Sequence, residues 1–586
     1  MWRRSSLTYW QTSQQQAVKK QSAILFLAVV ALYLPAVWGT IVTIDDLGIV
    51  KFYGSRTLTI YDVLRPGDGY YYRPLIALSF YLDNLLLGQN PYLLHLENVL
   101  IHAANAVLLF LLALRLFPSS RSGLPALAAL LFAAHPVNCE AVSWIAGRTD
   151  PLATLFVLLA ALSLITALES GKLRHTVSAV LLLLIGALAK ETALLFVPGS
   201  LLLVRYWPLF RPDADSVNVR RQGRALLLLY GGFALVLALA FVGRLDSDHN
   251  SVQKLLGGNK LDLAHSLLLS VKILGFYLKK MLFPWPLNFA TITLSDWYLV
   301  PGFSGVLLVA CAPRKSPCFV LICLGGLFLL PPLAVGLFDI AWTMVAERYL
   351  YLPSAFFCLG GVGYLHRAAE RFSFGRLAIA GTSLCIAVSA VASVDRTMVW
   401  HSNLRLFQDT VAKTPDFGML RNELAVALFH SGRAAEAAAQ LDQASSLHNS
   451  DLVRRLIARN RMLINLKGAT PAERRRMINA AIADLSKEDM DLLITLRRTD
   501  YELLKSLYPG PERDEVVAEL IKVSEVLFSK TGNAHYLYNN GQLLLEIGDT
   551  KGASACFERS YHAAPEDAYY RTSARRLAEK LRGERL

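Results

Sequence analysis

The chain is short of charge. Only 18% of its 586 residues are Asp, Glu, Lys or Arg, where a soluble domain averages about a quarter. With 54% hydrophobic residues and a mean hydropathy of +0.39, that deficit excludes an ordinary soluble protein. It implies an integral membrane protein with some soluble part. Cysteine is sparse too: seven residues, scattered, with no CxxC pair and no Cys/His cluster. Cys323, Cys358 and Cys385 sit in apolar runs, where a small hydrophobe satisfies the position. Neither a disulfide framework nor a zinc site is indicated. Acid is in deficit, 45 acidic against 59 basic residues for a net charge of +14. Many of the basic residues flank apolar segments, where they orient helices and meet anionic headgroups. The implied partner is membrane lipid, and nucleic acid is the wrong inference. The first apolar run, 23–39, comes after Arg3, Arg4, Lys19 and Lys20 and lacks a small-residue cleavage site. It predicts a retained span in place of a cleaved signal peptide.

What is present in quantity is apolar sequence in runs near the length of a span. About eleven spans are predicted, near 23–40, 92–116, 124–138, 151–168, 175–189, 192–206, 225–243, 298–312, 317–337, 349–366 and 376–394. A further segment, 264–283, carries Lys272, Lys279 and Lys280 and suits either a span or an interfacial amphipathic helix. With eleven spans, the basic loops around Arg115/Arg121, Lys172/Arg174, 205–224, Arg314/Lys315 and 367–376 share the cytoplasmic side with the N-terminus. The C-terminal region then lies outside. From 400 onward the composition is polar and helical in pattern. The expected organisation is a membrane domain, 1–396, followed by an α-helical repeat domain, 397–586. Two windows carry the 34-residue spacing of a helix–turn–helix repeat of tetratricopeptide type. One runs through Leu424, Ala425, Leu428, Gly432, Ala437, Leu441 and Ala444; the other through Leu537, Gly541, Leu544, Gly548, Ala553, Phe557 and Pro565. Between them 452–533 is helical but irregular. Stacked helix pairs leave a groove that commonly binds peptides.

The non-cytoplasmic loops collect acids and cations: Asp45/Asp46, Glu140/Arg148, Lys190/Glu191 and Glu347/Arg348. Such groups at span ends are expensive unless solvated or paired, so their recurrence on one face suggests a shared polar cavity. Each taken alone could simply be interfacial. The adjacent Asp45 and Asp46 raise one another's pKa, which suits a general base. They also permit a divalent ion without demanding one, and a bare acid pair can equally cap a helix. Arg73, Arg148, Lys190 and Arg348 are potential anion ligands, or snorkelling side chains.

The order of these stretches is informative. An acid pair after the first span is followed by YRPL (72–75), HPVNCEAVSWIAGRTDPLA (135–153), AKET (189–192) and AERYLYLPS (346–354). This resembles the transmembrane and tetratricopeptide-repeat-containing O-mannosyltransferases and, more distantly, the protein O-mannosyltransferases, membrane enzymes of the GT-C fold. Ala189 replaces the family's usual Ser, Thr149 stands where Ala is frequent, and only two clear repeats are present.

The resemblance implies an all-α protein, a polytopic GT-C-type helix bundle followed by tetratricopeptide-like repeats. It implies an inverting transfer of a sugar, mannose first among candidates, from a polyprenyl-phosphate donor to a hydroxyl of a protein or glycan acceptor held by the repeats. Asp45 and Asp46 would be the catalytic acids. Arg73, Arg148, Lys190 and Arg348 would meet the donor phosphate. His135, Glu140, Asp150, Glu191, Glu347 and Tyr351 would shape the cavity and orient those groups. The short repeat region favours a bacterial plasma membrane with periplasmic repeats; in a eukaryote the equivalent is the endoplasmic reticulum. A non-enzymatic scaffold recruiting partners through the repeats, a transporter, and a lipid-linked glycan ligase are the competing readings. No internal symmetry between halves supports the transporter.

Overall fold

A computed structural model describes the chain except residues 1, 54–58, 65–72, 89, 118–122, 243–261, most of 469–509, 567 and 584–586. Residues 2–14, 62 and 235–242 are described by backbone alone. Arg121, Tyr72 and, within the irregular 452–533 segment, most of 469–509 therefore lie outside the described residues. The described residues are helical, with a single isolated bridge between Thr291 and Val345. They form two compact units, 1–415 and 416–586. The division falls after the helix Asn403–Lys413, which belongs to the first unit and not to the repeats.

Among the described residues, five helices are long and apolar enough to cross a membrane: Gln15–Trp38, Pro91–Leu116, Ala146–Ser170, Pro317–Phe338 and Gly375–Val399. A sixth candidate is the pair Leu124–Ala134 and Pro136–Ser143, bent by 49°. Proline without an N–H cannot continue the helix, and the His135 ring accepts the Val137 N–H to start the next turn. Three other expected spans are helical but shorter, Leu173–Ala189, Phe196–Arg205 and Leu299–Cys311, while those near 225–243 and 349–366 fall in the longer helices Ser216–Val242 and Tyr351–Arg371, outside the five. The ambiguous segment becomes the helix Leu263–Leu282, paired closely with Leu299–Cys311. That pair shows Leu263, Leu267, Phe303, Leu307 and Leu308 to the outside, the apolar surface expected against lipid.

Helix Pro91–Leu116 is the centre of the first unit. Asn90 accepts the Tyr92 N–H at its start, and it packs on the helices at 124–134 and 149–170. Its polar side chains His95, Asn98, His102 and Asn105 are all buried, at spacings that keep them on one stripe.

The second unit contains two helix hairpins where the repeat spacing places them, Gly418–His430 with Ala434–Ser445 and His535–Glu546 with Thr550–Ala563. Each turns through a left-handed glycine, Gly432 (φ +80°) and Gly548 (φ +83°). At Gly541 a Cβ would stand 2.7 Å from the Phe557 ring, so the small residue is what lets the two helices close. Fold class and helical repeat architecture are as the sequence implies.

Candidate functional site

The acid loop leaves the first span at Gly39 and reaches the short helix Asp46–Tyr53. Its two acids do different things. Asp46 is wholly buried. One carboxylate oxygen accepts the Val42 N–H at 3.1 Å, the other the Ala146 N–H at 2.8 Å. Burial lifts its pKa to about 7, although these N–H bonds and that of Ile145 pull the other way; Asp45 adds to the rise. Asp46 is thus the pin that fastens the loop to the 144–148 turn. Asp45 is exposed and takes a left-handed backbone, φ +65°. Its densely packed surroundings raise the carboxyl above the ordinary value, against the pull of Arg348.

Arg348 comes two residues after the extended Ala346, in the turn Glu347–Leu350. It is held by Glu140, which accepts both the Arg348 backbone N–H and a guanidinium N–H. The rings of Trp144 and Tyr349 flank it at 5.4 and 5.0 Å. Burial opposes its charge, but Glu140 more than compensates, and its pKa is raised. Glu347, beside it, points elsewhere: it is buried against Lys280 and accepts the Asn288 N–H at 2.8 Å.

Lys190 donates to both oxygens of Asp150 at 2.7 and 2.6 Å, with the pair buried and the Tyr349 ring 5.1 Å away. Arg73 forms a two-point bridge to Glu191, at 3.1 Å from Nε and 2.7 Å from Nη2. This is the open pair, with Arg73 21% and Glu191 56% exposed. Burial alone would raise the Glu191 carboxyl; Arg73 and Lys190 reverse that and hold it low.

Arg148 departs from the role of phosphate ligand. Its side chain is 0% exposed. It donates to Asp83 at 2.5 Å, Ser79 and Asn98 at 3.2 Å and the Leu94 carbonyl at 3.4 Å. It also pairs with Glu97 at 3.1 Å and lies 4.2 Å from the Phe80 ring centre. No face of the guanidinium is left for a ligand. Two expected cavity residues are likewise spent on internal ties. The His135 ring bonds the Met281 carbonyl at 3.0 Å. The Tyr351 hydroxyl is buried between His102 (2.7 Å) and Asn105 (3.1 Å).

The geometry therefore brings Asp45, Glu140, Asp150, Lys190 and Arg348 into one electrostatic neighbourhood, with Arg73–Glu191 at its open edge. Asp83, Glu97, Asn98 and Lys280 were not singled out as site residues by sequence reasoning. Their signal was available: a carboxylate or amide inside an apolar helix is costly unless a partner exists. Among the described residues no three His, Cys, Asp or Glu side chains converge as an ion site. With both Asp46 oxygens engaged by N–H groups, the acid pair does not offer a divalent ion two free carboxylates.

Comparison with known proteins gives 45% identity over 100 residues to the mouse protein O-mannosyl-transferase TMTC1, 17% of this chain and 10% of that one. The Drosophila Tmtc1 is 35% identical over 179 residues, 29% of this chain and 20% of the relative. Mouse TMTC4 matches over 407 residues at 28% identity, 59% of this chain and 54% of the relative. The chain is similar to the TMTC protein O-mannosyl-transferases. No protein-family model matches it. The matched region spans about half of TMTC4 and less of the other two. All three relatives are animal proteins, so the bacterial reading gains nothing from them.

Proposed function

We propose that the protein is a membrane O-mannosyltransferase in which Asp45 is the general base. The observation that carries this reading is an accessible carboxylate, Asp45, held on a pinned loop beside Arg348, whose position Glu140 fixes. The donor is a polyprenyl-phosphate mannose whose lipid stays in the bilayer. An acceptor hydroxyl of a protein Ser or Thr gives its proton to Asp45 as its oxygen attacks the anomeric carbon. The bond from that carbon to the phosphate oxygen breaks, and polyprenyl phosphate leaves. One displacement inverts the anomeric centre. Arg348, Lys190 and Arg73 are the cations that would meet the negative charge developing on the phosphate, and groups fixed beforehand stabilise such charge without reorganisation. Arg148 has no part in that contact. The repeat hairpins would retain a translocated protein acceptor on the non-cytoplasmic side, in the endoplasmic reticulum lumen or a bacterial periplasm.

The test is mannose transfer by the full-length protein from a polyprenyl-phosphate donor to a Ser/Thr-containing acceptor, wild type beside Asp45→Asn and Asp46→Asn. Asp45→Asn is expected to lose roughly 10²–10⁴-fold in rate, the contribution of a positioned base, while remaining folded. Asp46→Asn keeps an acceptor oxygen and should lose less. Because Asp45 must be ionised and its pKa is raised, wild-type activity should fall on the acid side at a higher pH than an ordinary carboxylate would give. Undiminished transfer by Asp45→Asn defeats the assignment, and absence of donor turnover with any lipid-linked sugar defeats the enzyme.

A further inference from the structure

We infer that Asn403, with the carbonyl of His401, is the clamp that sets the acid loop, which makes Asn403 a positioning residue for Asp45. The inference rests on the reading of Asp45 as the base. Residues 39–42 have no regular secondary structure, so their backbone groups need partners from elsewhere. The junction after the last long helix supplies them. The Thr40 N–H donates to the His401 carbonyl at 3.3 Å. The Asn403 side chain donates from Nδ2 to the Ile41 carbonyl at 2.9 Å, and its Oδ1 accepts the Thr43 N–H at 3.1 Å. One amide thus bonds a carbonyl and an N–H on either side of Val42, as a neighbouring strand would. The Val42 N–H goes to Asp46.

The clamp is itself rigid. Asn403 opens the helix Asn403–Lys413, and the preceding Ser402 hydroxyl accepts the Arg405 N–H. Trp400, buried at 2%, packs on Phe289 and Trp144 at ring distances of 5.2 and 6.1 Å. Rigidity matters because the strained position lies two residues beyond Thr43. There Asp45 sits at φ +65°, a conformation that a residue with a Cβ holds only where its surroundings over-determine it. The bonds from His401, Asn403 and Asp46 do that. Without the Asn403 amide, Ile41 and Thr43 lose those long-range partners, and the base is free to leave the reacting position.

The experiment uses the full chain in lipid nanodiscs, with Asn403→Ala and Asn403→Asp compared by steady-state transfer and by hydrogen exchange across residues 40–46. Asn403→Ala should lower kcat roughly 10–100-fold, as for a misplaced catalytic group, with donor KM within about twofold. Exchange at the amides of 40–43 should quicken by about tenfold or more while the 91–116 helix is unchanged. Asn403→Asp keeps the acceptor for Thr43 and adds a negative charge close to the loop that carries Asp45. It should regain part of the rate and shift the acid side of the pH profile upward. Unaltered kcat in Asn403→Ala would overturn the inference. So would a loss that simply tracks the folded fraction with exchange at 40–46 unchanged. If Asp45→Asn were fully active, the base reading alone would fail, since the exchange measurement reports the clamp independently.

Discussion

Replacing Arg148 removes the cation shared by Asp83 and Glu97 and leaves the Asp83 carboxylate in a buried site, with Glu97 32% exposed beside it. Breaking a buried ion pair from one side costs about 3–5 kcal/mol. Arg148→Met should therefore lower the thermal midpoint in detergent sharply, whereas Asp45→Asn, whose side chain is exposed, should leave it nearly unmoved. Asp46 gives a second prediction with a definite sign. An unfolded aspartate titrates near about 3.9, and burial carries Asp46 to about 7. Between these values the folded chain holds a proton that the unfolded chain has released. The resulting stabilisation is complete below the lower value and is lost as pH rises through the upper one, an effect of roughly 4 kcal/mol at most. Asp46→Asn should flatten the thermal midpoint between pH 5 and 8, and an unchanged slope would contradict the assignment. At this scale the sequence showed which residues were charged but not where they ended. Arg148 and Arg348 both lie in quoted motifs, HPVNCEAVSWIAGRTDPLA and AERYLYLPS. Only their partners, a pair of carboxylates from other helices in one case and Glu140 in the other, separate a brace with no exposed surface from a cation whose side chain is 11% exposed.

Helix Leu263–Leu282 meets Leu299–Cys311 with almost no space between the backbones. A Cβ on Gly275 would stand 1.9 Å from the Tyr298 carbonyl oxygen, and one on Gly302 would stand 2.2 Å from that of Val271. Both obstacles are main chain, so a helix must move. Gly275→Ala or Gly302→Ala should each destabilise by about 1–3 kcal/mol, as overpacking does. Gly361→Ala, with nothing within 4 Å, should be neutral, and thermal unfolding of the three variants compares them directly. Helical runs and their breaks were the most legible part of the chain, because apolar length and proline act locally. The kink at His135-Pro136 and both repeat hairpins arise from residues a few positions apart. The status of 263–282 was not legible: Lys272 and Lys280 find partners in Asp296 and Glu347, and pairing between distant elements leaves no local periodicity. The same holds for Asn98, His102 and Asn105, whose buried side chains bond to the Trp144 carbonyl, the Tyr351 hydroxyl and the Pro151 carbonyl.

At the scale of the molecule, the division into an apolar first part and a polar helical second part could be read from composition alone. The assembly of the site could not. The contacts that define it join residues 118, 208 and 360 positions apart, and a single sequence does not encode such pairings visibly. The longest of them has a consequence for biosynthesis. The acid loop emerges from the ribosome early, yet the Asn403 amide that holds it is made 360 residues after Thr43. At about 5–20 residues per second that interval is roughly 20–70 s. Through that time the nascent chain would carry its acids and part of its cations with the loop unclamped. On the proposed reading, transfer would begin only once the segment after the helix Gly375–Val399 is in place, so the half-made chain would not act on passing substrates.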